Sequence, residues 1–390
     1  MILLERYFFF KGFFMHTATN KARTLLTSLT SLRFLAAVCV VLHHAAAISG
    51  NISLVGLMER LGWLGVSFFF ILSGFVLMWS FDETLTPATY ILRRLTRIYP
   101  LHFVCLCISL AYFACTGNGL GGYVGTGLGT VANFLLIHDW IPGHPNIRQG
   151  WNGVSWTLSC EFFFYLLTPI VFPFFLKIDR FKYLELVVSL WLVLAAFSAI
   201  AQTRHWNAVL DFYLYHPLPR AAEFFLGAIG ARWMKAGVRF ESIIASLFLM
   251  IMPILIYCAC VPEALECPAL MNLLFIPGAF LLIFSAAGRE YDGMKSWLQQ
   301  AFLVRLGDAS FALYMTHALL LGLYARLISR YFKDYFYSSL SREAALTVLY
   351  LLAATVLSLA VHLSFEIPMR KILLHLLAPR KKNILVPEQL

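Results

Sequence analysis

One apolar segment of this chain contains a histidine and an arginine, and packing alone does not readily explain either residue. Arg33 and His44 are eleven residues apart, so on a helix they point within about 20° of each other and lie roughly 16 Å apart along the axis. His44 falls in the far half of the segment, where a titratable ring needs a partner. A histidine in that position therefore favours a functional role over simple packing.

A carboxylate and two further arginines extend this set. Glu161 lies six residues into another apolar segment, roughly 9 Å from its boundary, where a lone carboxylate is costly and indicates function. We expect Glu161 at a depth comparable to His44, where it would orient and charge-balance the ring. Arg94 and Arg97 share a helix face and would form a clamp for a phosphate, although membrane anchoring also explains a basic cluster.

Three further titratable residues stand beside or within apolar segments. His43 points about 100° away from His44 on the same helix, which favours a packing or supporting role. His317 lies within a late segment, and Glu366 closes the last one just before Arg370. Both are expected either at the site or in structural pairs.

The composition determines what kind of element must position these residues. The 390 residues are 60% hydrophobic and only 13% charged, with a mean hydropathy of +0.76, which a soluble protein could not bury. The net charge of +10 would indicate nucleic-acid binding in a soluble chain. Here the basic residues lie at the ends of apolar segments, so they indicate membrane orientation and no nucleic-acid partner.

The fold class is therefore predicted as all-α, a polytopic helical bundle in a lipid bilayer with about ten transmembrane helices. The candidate spans are 32–50, 62–81, 98–116, 155–176, 183–202, 219–235, 241–260, 269–287, 309–329 and 345–365.

The charge distribution predicts that both termini are cytoplasmic. With ten spans, most of the 30 lysines and arginines fall on the inner side, as the positive-inside rule requires. An eleventh crossing at 130–141 would divide them almost evenly. The segment 130–141 is therefore expected to lie re-entrant or along the outer face.

The chain divides into a cytoplasmic or interfacial segment (1–30), a membrane domain (31–370) and a basic cytoplasmic tail (371–390). The C-x-C pairs Cys105/Cys107 and Cys258/Cys260 have no histidine at zinc-ligand spacing, so no metal is expected. The stretch 117–122 matches G-x-G-x-x-G, but it follows an apolar span and not a strand, which favours an outer loop over a nucleotide site.

Six motifs in order make the chain resemble the membrane-bound acyltransferase 3 family, over about 31–370. They are Arg33 with His44, the G-x-x-G-V…L-S-G-F block 62–75, the R-x-x-R-I-x-P turn 94–100, the S-W-x-L-x-x-E-x-x-F-Y-L block 155–166, the L-G…S…Y…H block 306–317, and E-x-P-x-R at 366–370. Phe34 and Phe311 depart from the usual glycine and tyrosine.

The resemblance implies an O-acyltransferase of the bacterial inner membrane, without the extracytoplasmic hydrolase-like domain that some members append. Acetyl-CoA would supply the acyl group from the cytoplasm, with its phosphates at Arg33, Arg94 and Arg97. The acceptor would be a hydroxyl of an extracytoplasmic or lipid-linked glycan, with His44 and Glu161 as the catalytic residues. Secondary positions implied by the same motifs are His43, Ser155, Trp156, Tyr314, His317 and Glu366.

Three other classes of protein are weighed against this interpretation. A transporter or flippase of a lipid-linked glycan also needs about ten spans, but we find no repeat symmetry. A polytopic glycosyltransferase should carry acidic residues in a large outer loop, whereas the outer loops predicted here have few. A purely structural subunit would not need His44 and Glu161 at depth. The sequence leaves open acetyl against succinyl or longer acyl groups, and a base against a carrier role for His44.

Overall fold

The structure, a computed structural model, describes residues 26–45, 61–120, 125–142, 144, 147, 150–178, 180–260, 268–331 and 340–377. Most of the predicted segments 1–30 and 371–390 lies outside these ranges, as do part of the 117–122 stretch and Cys267. Within the described residues the chain is helical and contains no strand. The predicted all-α polytopic bundle is confirmed.

The helices follow one another with short connections. In chain order they are α1 (Thr27–Ala45), α2 (Leu64–Trp79), α3 (Pro87–Thr116), α4 (Gly127–Phe134), α5 (Trp156–Lys177), α6 (Arg180–Thr203), α7 (Asn207–Tyr215), α8 (Pro217–Lys235), α9 (Ile243–Cys260), α10 (Pro268–Tyr291), α11 (Ala301–Asp308), α12 (Ser310–Tyr331), α13 (Leu340–Val361) and α14 (Ile367–Leu377). Single 3-10 turns precede α5 and α11, and a π-helical turn, His362–Glu366, joins α13 to α14.

Each of the ten predicted spans overlaps a helix of the described residues. Eight of these helices are long and apolar enough to cross a membrane. Of the other two, α2 is apolar but has 16 residues, short of the roughly 20 that a perpendicular crossing needs. The second, α8, carries Arg220, Glu223, Arg232 and Lys235 and is mostly buried inside the bundle. Arg220 and Glu223 are tolerated there because protein, and not lipid, surrounds them.

The weaker segment at 130–141 does not form a crossing helix. Helix α4 has eight residues and ends at Phe134, after which the chain turns. His138 and Asp139 follow it and are buried, and the Asp139 amide donates to Ser159 Oγ of α5 at 3.2 Å. This segment therefore packs on the beginning of α5.

Glycines bring α2 and α8 together along the centre of the bundle. A Cβ on Gly74 would lie 1.7 Å from the carbonyl oxygen of Phe224, and one on Gly227 would lie 1.8 Å from that of Ile71. Small residues allow such backbone-to-backbone approach between helices in lipid. Gly65 similarly faces Ala36 of α1, where a Cβ would lie 2.8 Å from the carbonyl oxygen. These glycines therefore set the close spacing of α2 against α1 and α8.

Helix α1, which carries Arg33 and His44, is held at its first turn by a carboxylate from α10. Glu290 accepts from the backbone amides of Thr27 and Ser28, both at 2.8 Å, and from Thr27 Oγ1 at 2.6 Å. The negative charge meets the amide groups and the positive end of the helix dipole. Gly307 of α11 lies directly against Thr30, so the start of α1 has a fixed position and the rest of the helix follows from it.

Candidate active site

A cavity of about 780 Å³, including its open mouth, lies where α1, α2, α3, α5 and α12 meet. Arg33, Arg94 and Arg97 line it together with Glu161. The structure therefore brings together the three arginines and the carboxylate that the sequence indicated from three separate segments. We call the region around the three arginines the arginine end of the cavity.

Two of the arginines are oriented by neighbours. Arg94 Nη2 donates to Ser80 Oγ at 3.1 Å, and its guanidinium lies 5.3 Å from the centre of the Tyr90 ring. Arg33 lies in electrostatic range of Arg97 and of the carboxylates of Glu161 and Asp308. Three positive charges near one cavity repel one another and attract an anion, and planar guanidinium groups suit phosphate oxygens.

Glu161 belongs to the arginine end. Its Oε2 accepts from Tyr165 Oη at 2.9 Å, one turn further along α5, and the nearest interacting charges are Arg97, Arg33 and Arg94. The expectation that Glu161 orients His44 is corrected here, because the hydrogen bonds of the His44 ring go elsewhere. The reason is that the side chain of Glu161 leans toward the concentrated positive charge.

His44 is paired with His317 of α12. His317 Nε2 lies 3.3 Å from His44 Nδ1, and the ring centres are 5.1 Å apart. His44 Nδ1 also lies 2.9 Å from the carbonyl oxygen of Val40. His317 is fully buried, whereas His44 is half-buried. The ring of His43 meets that of His44 edge-on at 5.1 Å.

Tyr314 connects the cavity to this histidine pair. It lines the cavity, and its ring centre lies 5.8 Å from that of His317. Its hydroxyl accepts from Thr157 Oγ1 and donates to the carbonyl oxygen of Val154, both at 3.0 Å. The wall of the cavity is therefore one side chain away from the histidine pair, and that side chain is fixed at both ends.

Comparisons with known proteins identify the family of the chain. The profile of the family described as "Acyltransferase domain" matches residues 26–366, which is most of the chain. The chain belongs to the acyltransferase 3 family. It is a membrane-embedded O-acyltransferase, and the predicted enzyme class is confirmed.

Individual relatives carry related names. Acyltransferase MdmB of Streptomyces mycarofaciens is 33% identical over 323 residues, covering 78% of this chain and 81% of the relative. Exopolysaccharide production protein ExoZ of Rhizobium meliloti is 27% identical, covering 73% and 83%. An O-acetyl transferase of Shigella phage Sf6 is 26% identical, covering 52% and 62%. No solved structure matches.

Two secondary positions of this acyltransferase lie at the beginning of α5. Ser155 is fully buried and donates to the carbonyl oxygen of Asn152 at 2.8 Å. The ring of Trp156 packs edge-on against Tyr215 at 5.0 Å and also lies 5.9 Å from the guanidinium of Arg220. Both residues brace the helix that carries Glu161, and a chemical role for either remains a prediction.

Glu366 forms a pair inside the π-helical turn. It accepts from His362 Nδ1 at 2.9 Å, and Arg370, one turn later, lies in electrostatic range of Arg97 and Arg94. The turn therefore brings another arginine toward the arginine end. Among the described residues, no three His, Cys, Asp or Glu side chains gather as a metal site, and the expectation of a metal-free reaction stays a prediction.

Sequence reasoning missed a buried ion pair in α8. Arg220 lies in the first turn of the helix, and its Nη1 donates to Glu223 Oε1 at 2.6 Å with both side chains 3% exposed. Ser67 Oγ of α2 donates to Asn272 Oδ1 of α10 at 2.9 Å and lies 3.3 Å from the same Glu223 oxygen. The spacing of three between Arg220 and Glu223 was the available signal.

Proposed function

We propose that this acyltransferase moves an acyl group, acetyl in the simplest case, from acyl-CoA to a hydroxyl of an extracytoplasmic or lipid-linked glycan. The observation that carries the proposal is one cavity that has three arginines at one end and a wall, Tyr314, in contact with the His44–His317 pair at the other. A donor with an anionic head and a reactive tail matches both ends.

The arginine end suits the donor phosphates. Arg33, Arg94 and Arg97 come from two helices, so they surround a ligand from more than one side, and hydrogen bonds to charged groups are worth about 1.5–3 kcal/mol each. Glu161 lies among the arginines and limits their mutual repulsion, and Tyr165 holds the carboxylate in place. Cytoplasmic acyl-CoA supplies such phosphates, which agrees with the positive-inside orientation predicted for this end.

The His44–His317 pair, which lies behind the cavity wall at Tyr314, suits the reacting groups. His44 and Arg33 are separated by roughly 16 Å along α1. The extended arm of acyl-CoA would cover this distance between the arginines and His44. His44 would accept the proton of the acceptor hydroxyl while the hydroxyl oxygen attacks the thioester carbonyl. The carbon–sulfur bond then breaks, and the thiolate of coenzyme A leaves with the proton returned by His44. Positioning the two substrates at one histidine supplies much of the rate.

The names of two relatives support the acceptor and the acyl group. One is called an exopolysaccharide production protein and another an O-acetyl transferase. A glycan hydroxyl reached from the outer face fits the half-buried position of His44 at the far end of α1. The corresponding location is the inner membrane of a bacterium.

The experiment measures acetyl transfer from radiolabelled acetyl-CoA by the full-length protein in proteoliposomes. Proteoliposomes with the His44→Ala variant are the control. In parallel, mass spectrometry compares surface glycans of deletion and complemented strains. We expect the complemented strain alone to carry the mass increment of an acetyl group, and wild-type vesicles alone to release free coenzyme A. Uptake of intact labelled donor without release of coenzyme A would contradict the proposal and favour a transporter.

A further inference from the structure

The hydrogen bonds around the two histidines determine where each ring carries its proton. His317 Nδ1 lies 2.7 Å from the carbonyl oxygen of Tyr314 and 3.2 Å from that of Leu313. A carbonyl oxygen only accepts, so this nitrogen must be the protonated one in the neutral ring. His317 Nε2 is consequently left with a free lone pair.

The same logic applies to His44. Its Nδ1 lies 2.9 Å from the carbonyl oxygen of Val40 and 3.3 Å from the lone pair of His317 Nε2. Both neighbours accept, so the Nδ1 hydrogen of His44 is shared between them in a three-centre bond. Its Nε2 is then unprotonated, and among the described residues no hydrogen bond engages it.

His317 itself is rigidly placed. Its side chain is fully buried, and its own carbonyl oxygen accepts from Tyr350 Oη of α13 at 2.9 Å. The carbonyl of Met315 on the same helix accepts from Asn152 Nδ2 at 3.1 Å. The acceptor that His317 presents to His44 is therefore held from three directions: by its own helix, by α13 and by the turn before α5.

We propose that His317 is a positioning residue that holds His44 with its proton on Nδ1 and its bare Nε2 free for the reacting group. This rests on the proposed function only in assigning the base to His44. The Val40 carbonyl lies on the same helix as His44 and can only accept the hydrogen, whereas His317 stands across the bundle and fixes the rotation of the ring. When His44 takes a proton on Nε2, the neutral acceptor at His317 also stabilises the new positive charge.

Two substitutions separate this role from a structural one. In His317→Gln the amide oxygen reaches the position of Nε2 and can still accept from His44. In His317→Asn the shorter amide can donate to the Tyr314 carbonyl but does not reach His44. We expect the asparagine variant to lose at least about tenfold in kcat, with KM for the acyl donor unchanged, and the glutamine variant to retain most of its kcat. Equal kcat in the two variants, whether high or low, would overturn the proposal.

A spectroscopic measurement tests the proton positions without reference to activity. Nitrogen chemical shifts of ¹⁵N-histidine in the membrane-embedded full-length protein distinguish protonated from bare ring nitrogens, and spectra of His44→Ala and His317→Gln assign the signals. We expect both rings to be protonated on Nδ1 and bare on Nε2. A proton on Nε2 of either neutral ring would overturn the proposal. If the shifts are as expected but acetyl-CoA is not a donor, the proposed function fails and the positioning role of His317 stands.

Discussion

The arginines that we propose for the donor phosphates and the histidine that we propose as the base are separate groups of side chains, joined by Tyr314. Arg33, Arg94 and Arg97 line the cavity, while His44 meets His317 beyond Tyr314. Glu161 serves the first group, through its contact with Tyr165 and its proximity to the arginines. The residues proposed to bind the donor can therefore be substituted without altering the residues proposed to react.

The arginines should affect donor binding separately from folding. We expect Arg94→Ala and Arg97→Ala to weaken acyl-CoA binding about ten- to a hundred-fold, because each removes a charge-assisted phosphate contact worth about 1.5–3 kcal/mol. Equilibrium binding of acetyl-CoA to the purified protein measures this. Arg93→Ala removes the same charge from the same helix, but Arg93 is exposed and does not line the cavity. If acyl-CoA binding weakened equally in all three variants, the arginine cluster would serve only as a general anchor to the membrane.

At the scale of helices, the site depends on how α1 is anchored and how α2 meets α8. The amide groups at the start of α1 have their acceptor in Glu290 of α10, more than 260 residues away in the chain. Helices α2 and α8 approach backbone to backbone at Gly74 and Gly227. Both contacts position α1 and α2, two of the helices that line the cavity.

Removal of the cap should destabilise the fold. Glu290→Ala leaves the first amides of α1 without their carboxylate, which we expect to cost about 1–3 kcal/mol of unfolding free energy. Thermal unfolding in detergent measures the loss as a lower midpoint. Glu83→Ala, at an exposed loop position, is the matched control and should unfold like wild type. An unchanged midpoint for Glu290→Ala would show that the cap contributes nothing.

A methyl group at the α2–α8 crossing should be poorly tolerated. In Gly74→Ala the new Cβ would stand 1.7 Å from a backbone oxygen of Phe224, so the helices must separate, and we expect less folded protein in the membrane. Size-exclusion profiles after extraction report the folded fraction. Gly127→Ala meets nothing within 4 Å and should behave as wild type; equal yields for the two variants would contradict the crossing described here.

At the scale of the whole molecule, apolar faces of α6, α9 and α13 point outward and suit a lipid environment, with Val193, Ile244 and Val356 among the exposed side chains. Spans of this kind could be predicted from the sequence because continuous apolar runs define them. The arginines and Glu161 could also be predicted, since a charge inside an apolar run stands out.

The partners of these residues were less accessible from the sequence. His44 and His317 are 273 positions apart, and their meeting depends on the parallel packing of α1 and α12, which no local pattern encodes. Glu161 was assigned to His44 on depth alone, whereas its direction on α5 turns it toward the arginines. The Glu290 cap was missed for the same reason, because helix neighbours are decided by tertiary packing. The Arg220–Glu223 pair is different: it lies within one helix, and its spacing of three was available in the sequence.

The orientation of the bundle remains a prediction that fusions can test. Because most lysines and arginines fall on one side in the ten-span arrangement, reporter fusions after Arg94 and after Arg380 should report cytoplasm, and one near Gly122 should report the outer side. Positions 122 and 380 lie outside the described residues. The predicted sides of the membrane for these two fusions therefore rest on the charge distribution alone. An outer signal at Arg380 would require a different number of crossings.

The central claim is that His44 is the base of acyl transfer, and the most direct measurement compares His44→Ala with His43→Ala at matched membrane abundance. Both histidines lie at the end of α1, and both are half-buried. Each variant therefore removes one imidazole from the same turn, and His43→Ala controls for the structural effect of that loss. We predict that His44→Ala binds acetyl-CoA normally but loses at least about 10²-fold in acetylation rate, while His43→Ala loses far less. Near-normal acetylation by His44→Ala would contradict the account.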